Sequence, residues 1–238
     1  MVKINQAQTN KTRIDNPSRA RILQRIRDGL RTVVPEVAVT TSERAIFEPV
    51  IFEPISNPLE RFQRECAANL TECLLTTDYA ASARQLSQVL EPLPDGEIFV
   101  QDDSSLRQLI EIGALGGSGA SRFSIRWSSE GAPAEASQAT VTLAEALIAQ
   151  TGSILVTAAC GGRGASVVAP CHIVYATTAQ LVPDLATALG RASEARTLDR
   201  NSFACVISGS SRTADIEKIL VQGAHGPRRL VAILQTGN

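Results

Sequence analysis

The sequence has only two histidines, no closely spaced cysteines and no excess of positive charge. Its five cysteines include no CxxC pair, which argues against a disulfide framework and against a zinc or iron–sulfur site built by this chain alone. No apolar run approaches membrane-spanning length, and Met1–Asn16 is polar. The formal net charge is -1, so bulk charge does not favour nucleic-acid binding. We therefore expect a cytoplasmic protein without membrane insertion, without a metal of its own and without a nucleic-acid partner.

The common cofactor and catalytic fingerprints are also missing. The chain contains no P-loop GxxxxGK[ST], no GxSxG elbow and no HExxH. Three glycines, Gly161, Gly162 and Gly164, follow an apolar stretch but do not spell the dinucleotide motif GxGxxG. With Arg163 they predict a flexible loop that can approach a ligand closely, and we expect no cofactor bound by this chain.

The length of 238 residues allows one large α/β domain or two small ones with a buried core. Hydrophobic content of 44% and charged content of 20% are ordinary for a soluble globular protein. We divide the chain into residues 1–57, a tail, helix and proline-containing arm, and residues 58–238, an α/β domain.

The N-terminal part begins with a loose tail, and Asn16-Pro17 then predicts a helix start. From residue 33 to 57 helical periodicity is lost, prolines recur, and Ile46-Phe47-Glu48-Pro49 is repeated as Ile51-Phe52-Glu53-Pro54. Because proline removes donors and favours extended backbone, this arm is predicted to lie over another surface. Two alternatives stay open: a linker whose phenylalanines touch the domain's own core, or a homo-oligomer contact through residues 33–57.

From residue 57 onward, helix and strand signals alternate. The predicted helices are 58–68, 78–90, 104–112, 142–150, 179–189 and 212–222. The predicted strands are 70–76, 97–100, 122–127, 153–158, 171–176, 203–208 and 229–235. This alternation predicts an α/β fold with a mostly parallel sheet covered by helices on both faces.

Two details refine that prediction. Thr142 and Glu145 form a capping box, which favours the helix 142–150, and Pro183 with Gly190 predicts the bounds of the next helix. The short connection Ala159–Pro170 makes strands 153–158 and 171–176 antiparallel neighbours.

That pairing would bring the Arg163 loop and His172 to one sheet edge. Strands 203–208 and 229–235, joined by a helix, are predicted to be parallel, with His225 at the opposite edge from Arg212.

The strongest candidate site follows strand 203–208. Gly209–Glu217 places hydroxyls and backbone N–H groups at the carboxyl end of a strand, where open α/β sheets bind ligands. Arg212 is a planar cation able to grip a carboxylate or phosphate with two hydrogen bonds. The alternative is simple helix capping, since Asp215 and Glu217 also suit a helix start and would neutralise Arg212.

The two histidines, His172 and His225, are the candidate proton acceptors. An imidazole bonded to backbone at a strand end accounts equally for His172. A favourable charge near a helix C-terminus accounts for His225.

Four segments together resemble the LUD-domain family, and within it lactate-utilisation protein C: Ala149–Ser153, Pro170–His172, Gly209–Glu217 and Gly223–Pro227. The resemblance implies a three-layer, Rossmann-like open sheet similar to the phosphosugar-isomerase and CoA-transferase superfamily. It also implies a role in oxidising L-lactate to pyruvate with partner proteins that carry the iron–sulfur clusters. This sequence has Gln150 where the family usually has glutamate, which argues against acyl transfer of the CoA-transferase kind.

On this basis we expect a site for a small carboxylate or other anion, with His172 or His225 taking the hydroxyl proton. Its binding residues are predicted to be Gly161, Gly162, Arg163, Gly164, Gly209, Ser211, Arg212, Thr213, Asp215 and Glu217. The alternatives are a stand-alone enzyme or sensor for a phosphorylated or CoA-linked metabolite, and a structural scaffold.

Overall fold

The computed structural model describes residues 17–31, 54–115, 122–131, 134–213, 221–222 and 226–237. The chain forms two compact units, Met1–Phe52 and Glu53–Asn238. In the first unit the described element is the helix α1 (Pro17–Arg31), which begins at the proline that predicts it. Residues 32–53, which include most of the proline-containing arm, lie outside the described residues.

The second unit contains the remaining elements. Its helices are α2 (Pro58–Ala68), α3 (Tyr79–Leu90), α4 (Ser104–Ile112), α5 (Leu185–Glu194) and α6 (Thr197–Arg200). Its strands are β1 (Thr71–Thr76), β2 (Gly96–Val100), β3 (Phe123–Trp127), β4 (Ala139–Leu143), β5 (Ala146–Ile148), β6 (Ser153–Thr157), β7 (Cys171–Thr177), β8 (Leu181–Val182), β9 (Ala204–Ile207), β10 (Arg212–Thr213), β11 (Val221–Gln222) and β12 (Arg229–Gln235).

Six strands form a parallel sheet in the order β1-β12-β7-β4-β2-β3. Four more form a second sheet in the order β8-β5-β6-β9, in which β6 runs antiparallel to both neighbours. The mixed α/β class and the parallel sheet are therefore confirmed. The second sheet was not predicted.

Three apolar cores separate the layers. Helices α3 and α4 pack on one face of the parallel sheet, through residues such as Leu86 and Leu109. The other face packs against the second sheet and α2, with Phe62 fully buried between them. The far side of the second sheet packs against α5. The side chains of the parallel strands thus alternate between a helix-facing and a sheet-facing core, which buries both faces.

Side-chain caps explain where several helices start. Asp78, Asp103 and Asp184 each precede a helix, and each carboxylate accepts a hydrogen bond from a backbone N–H in the first turn. The structure corrects the predicted helix 179–189, because α5 begins only after the Asp184 cap and runs through Gly190.

The predicted helix 142–150 is wrong. Thr142 lies inside β4, and residues 146–148 form β5, so the apparent capping box is a strand followed by a turn. The reason is tertiary: both strands are almost completely buried in sheets, and ladder pairing with buried apolar neighbours outweighs a local capping pattern.

Two predicted strand pairings are also wrong. β6 and β7 belong to different sheets, so the short connection Ala159–Pro170 crosses from one sheet to the other. β9 and β12 likewise lie in different sheets. The predicted helix 212–222 is wrong at both described ends, because β10 and β11 pair as antiparallel strands; residues 214–220 lie outside the described residues. Among the helices that the structure describes, none is long and apolar enough to cross a membrane.

Candidate functional site

A cleft of about 440 Å³ lies beside β9. Three segments line it: the loop after β6, β9 with its following turn, and the residues just before β12. Its lining residues are Arg163, Ser166, Val167, Phe203, Cys205, Val206, Ile207, Ser208, Gly209, Ser211, Gly226 and Pro227. The lining is mainly apolar, with one cation and several hydroxyls, which is the usual composition of a ligand site.

The turn after β9 is held in place by its backbone. Gly209 has φ +89°, and a Cβ there would lie 2.2 Å from the carbonyl oxygen of Asn69. Only glycine permits this conformation and this approach. The N–H of Ser211 donates to the carbonyl oxygen of Pro227 at 2.9 Å. The turn is therefore fixed between the residues that precede β1 and those that precede β12.

Arg163 supplies the positive charge of the cleft. Its Nη2 donates a hydrogen bond to the carbonyl oxygen of Ser202 at 3.2 Å, and the guanidinium carbon lies 5.9 Å from the ring centroid of Phe203. Within the described parts of the chain, Arg163 makes no salt bridge to a carboxylate. The guanidinium is exposed, so its remaining donors are available to an anionic ligand.

Ser208 contributes a hydroxyl whose orientation is set from the interior. Its Oγ lies 2.6 Å from Oγ of Ser153, which in turn lies 2.7 Å from Oγ1 of Thr151. Ser153 is buried, whereas Ser208 is exposed at the cleft. This row of hydroxyls links the cleft to the turn after β5.

That turn packs against the end of α2. The side chain of Asn69 donates to the carbonyl oxygen of Thr151 at 2.8 Å. A Cβ at Gly152 would lie 2.6 Å from the backbone nitrogen of Cys66. The side chain of Arg61 donates to the backbone carbonyl oxygen of Gln150 at 3.3 Å. The segment 149–153 therefore positions α2 as well as Ser208.

The glycines at 161, 162 and 164 shape the loop rather than line the cleft. Gly161 has φ +106°, and a Cβ there would meet the Phe99 ring at 2.6 Å. Gly162 has φ +103° with open space around it. Of the predicted loop residues, Arg163 alone reaches the cleft.

His172 lies away from solvent in the core between the two sheets. Its Nε2 is 2.8 Å from Oγ1 of Thr142, and its Nδ1 has no hydrogen-bond partner among the described residues. Complete burial lowers the pKa of His172 to about 4, so the imidazole is neutral near pH 7. It does not line the cleft, and its environment is that of a core histidine.

The structure thus brings together Arg163, Gly209 and Ser211 from the predicted set. Arg212 and Thr213 follow directly in β10, where the backbone is described. Asp215, Glu217 and His225 lie outside the described residues.

Sequence reasoning missed several cleft residues, namely Ser166, Val167, Phe203 and Ser208. Solvent exposure alternates along β9. The sequence of residues 203–208 shows no matching alternation of polar and apolar residues, because nearly all of it is apolar, so it did not indicate which side chains face the cleft.

The carboxyl edge of the parallel sheet, where such folds usually bind ligands, is bridged by its own side chains. Three glutamine amides there bond to neighbouring strand ends: Gln101 with Leu143, Gln180 with Ala144, and Gln235 with Tyr175. The cleft lies instead toward the amino ends of β7 and β12. Among the described residues, no group of three or more histidine, cysteine or acidic side chains is arranged to hold a metal.

Comparison with known proteins gives three matches. The model of the LUD domain family matches residues 19–235. Lactate utilization protein C from Macrococcus caseolyticus is 26% identical over 186 residues, which covers 74% of this chain and 77% of that protein. The crystal structure of a DUF162 family protein from Deinococcus radiodurans matches with a TM-score of 0.57 at 17% identity, covering 76% of this chain and 99% of that one. This last match shows a likeness of fold alone.

Proposed function

Because the chain belongs to the LUD-domain family, we propose that it is a cytoplasmic component of an L-lactate utilisation system. The name of its relative from Macrococcus caseolyticus supports this role. We assign the oxidation of lactate to pyruvate to an assembly rather than to this chain alone. The two electrons released would pass to iron–sulfur partner proteins, since no cluster-binding cysteine spacing occurs in this sequence.

The contribution proposed for this chain is to bind a small carboxylate. The observation that carries this proposal is that Arg163 lines the same cleft as the hydroxyls of Ser208 and Ser211. Among the described residues, Arg163 has no carboxylate partner. A guanidinium can hold a carboxylate through two parallel hydrogen bonds, and a hydroxyl can bond the 2-hydroxyl group of a hydroxy acid. His172 is excluded from direct proton transfer in this proposal because it is buried away from the cleft.

Isothermal titration with L-lactate, D-lactate, glycolate and pyruvate tests the ligand. We expect L-lactate to bind and the Arg163→Gln variant to lose at least tenfold in affinity. Arg84→Gln, which removes an exposed arginine from α3, is the matched control and should bind as the parent does. Equal affinity for L-lactate in the Arg163 and Arg84 variants would show that the cleft is not the carboxylate-binding site.

Anaerobic co-purification from cells grown on L-lactate tests the partners. The tagged chain should carry iron and labile sulfide in stoichiometric partners, and lactate-dependent dye reduction should disappear when the chain is omitted. An iron-free eluate without partners would contradict the assembly.

The size of the cleft favours one alternative. A volume of about 440 Å³ with a mainly apolar lining suits a ligand larger than a three-carbon acid. A phosphorylated or CoA-linked metabolite is therefore the second candidate. Thermal stabilisation by CoA esters or sugar phosphates, but not by lactate, would favour it.

A further inference from the structure

The cleft runs along the edge of β9 that faces away from β6. It is lined by five consecutive residues, Cys205–Gly209. Side chains of a strand alternate between its two faces, and here Cys205 and Ile207 pack toward the core between the sheets, whereas Val206 is 39% exposed. The cleft touches consecutive residues whose side chains point to opposite faces of the sheet. It therefore borders the backbone along the edge of the strand and does not lie on one of the faces.

Across the described residues, β9 pairs with β6 alone, so its outward N–H and C=O groups have no ladder partner. Proteins usually guard such an edge with charges, proline or a bulge. β9 is Ala-Cys-Val-Ile, with none of these, and Val167 across the cleft is 44% exposed. The groove therefore offers main-chain hydrogen bonds beside apolar side-chain contacts, which is the chemistry of strand addition.

We propose that this groove accepts an extended strand from a second copy of the chain, supplied by Val50-Ile51-Phe52-Glu53. These four residues lie between Pro49 and Pro54, and β9 is also four residues long. Proline cannot donate to a ladder, so the two prolines limit pairing to this length. Val50, Ile51 and Phe52 match the apolar groove, and Glu53 provides a carboxylate for Arg163.

The proposal goes beyond the role in lactate utilisation, since it concerns self-association. Because the arm fills the cleft and Glu53 takes the donors of Arg163, the arm and a small carboxylate exclude one another there. Reciprocal exchange of the arm would close a dimer with the same contact made twice. The tests below use no metabolite, and a lactate titration of the Ile51→Ser, Phe52→Ser variant, in which the arm does not compete, keeps the two outcomes separate.

A labelled synthetic peptide of residues 45–54 measures the groove directly by fluorescence anisotropy. The receptor is the full chain carrying Ile51→Ser and Phe52→Ser, so that its own arm does not compete. We expect saturable binding that Val206→Lys weakens at least tenfold, because a lysine at an edge opposes strand addition. Leu189→Lys on α5 is the matched control, since Leu189 is 40% exposed and lies outside the cleft. A peptide carrying Phe52→Asp should not bind.

Light scattering during size exclusion measures the assembly. The parent chain should show at least twice the 25.3 kDa of one copy, and both Val206→Lys and the Ile51→Ser, Phe52→Ser variant should show one copy. If the monomeric variants have the same melting temperature as Leu189→Lys, misfolding is excluded as the cause of dissociation. A monomeric parent chain would overturn the proposal even if the peptide binds, because the arm would then fill its own groove. Failure of the peptide to bind would overturn it as well.

Discussion

Thr142 Oγ1 and His172 Nε2 lie 2.8 Å apart on neighbouring parallel strands, inside the core between the two sheets. The sequence suggests other roles for both, a helix cap for Thr142 and a proton acceptor for His172. Their pairing instead satisfies one buried nitrogen of an imidazole that has no contact with water.

The Thr142–His172 bond should be measurable against a neighbour on the same strand. Thr142→Val leaves the buried imidazole nitrogen without a partner and should lower the free energy of unfolding by about 1–3 kcal/mol. Thr140 lies on the same face of β4 and is equally buried, and no described residue forms a hydrogen bond with its Oγ1. Thr140→Val should therefore be neutral or stabilising in urea denaturation. Equal losses in both variants would mean that the hydrogen bond contributes nothing.

The stability of the protein should depend on the protonation of His172. Burial lowers the folded-state pKa of His172 to about 4 from an ordinary value of 6.5. Between those values the unfolded chain binds a proton that the folded chain does not, so stability is complete above pH 6.5 and falls as the pH drops toward 4. The expected loss between pH 7 and pH 5 is about 2 kcal/mol.

Urea denaturation at both pH values, compared between the parent and His172→Gln, isolates this effect from the carboxylates. The variant should lose about 2 kcal/mol less than the parent over the same interval. Parallel pH profiles would show that His172 titrates normally.

Gly209 should tolerate no side chain. Gly209→Ala combines a positive φ with a Cβ placed 2.2 Å from the Asn69 carbonyl oxygen. Gly162→Ala provides the control, because its φ is also positive and nothing lies near its Cβ. We expect Gly162→Ala to cost about 1–2 kcal/mol from backbone strain, and Gly209→Ala to cost about 1–3 kcal/mol more from the clash. Thermal or urea unfolding of the two variants gives the difference, which should vanish if the turn simply moves aside.

The five thiols should differ in their reactivity. A hydrogen bond from Cys66 lowers the pKa of Cys73, which is partly exposed, whereas burial raises the pKa of Cys160 and of Cys171 to about 11. Because the thiolate is the nucleophile, Cys73 should be alkylated first. Timed labelling with iodoacetamide at pH 8, followed by peptide mass spectrometry, gives the order. Labelling in guanidinium should abolish the differences, and faster reaction of Cys171 in the native protein would contradict this assignment.

The sequence alone determined the local elements with strong signals. The bounds of α2 and α4 match the prediction, because an N-cap residue and apolar residues at helical spacing specify a helix without help from distant parts of the chain. The apolar stretches that form β7 and β12 were also predicted, since their length and composition suit buried parallel strands.

Tertiary structure decided the rest, namely which sheet each strand joins and which loops meet. Thr142 and Glu145 fit a helix cap, yet burial on both faces of β4 makes that segment a strand. Arg163 and Ser208 share a cleft because β6 and β9 pair as neighbours in a second sheet that no local pattern encodes. Strand pairing depends on how distant apolar surfaces exclude water from one another. Residue spacing along the chain therefore identified the candidates for the site, and packing chose among them.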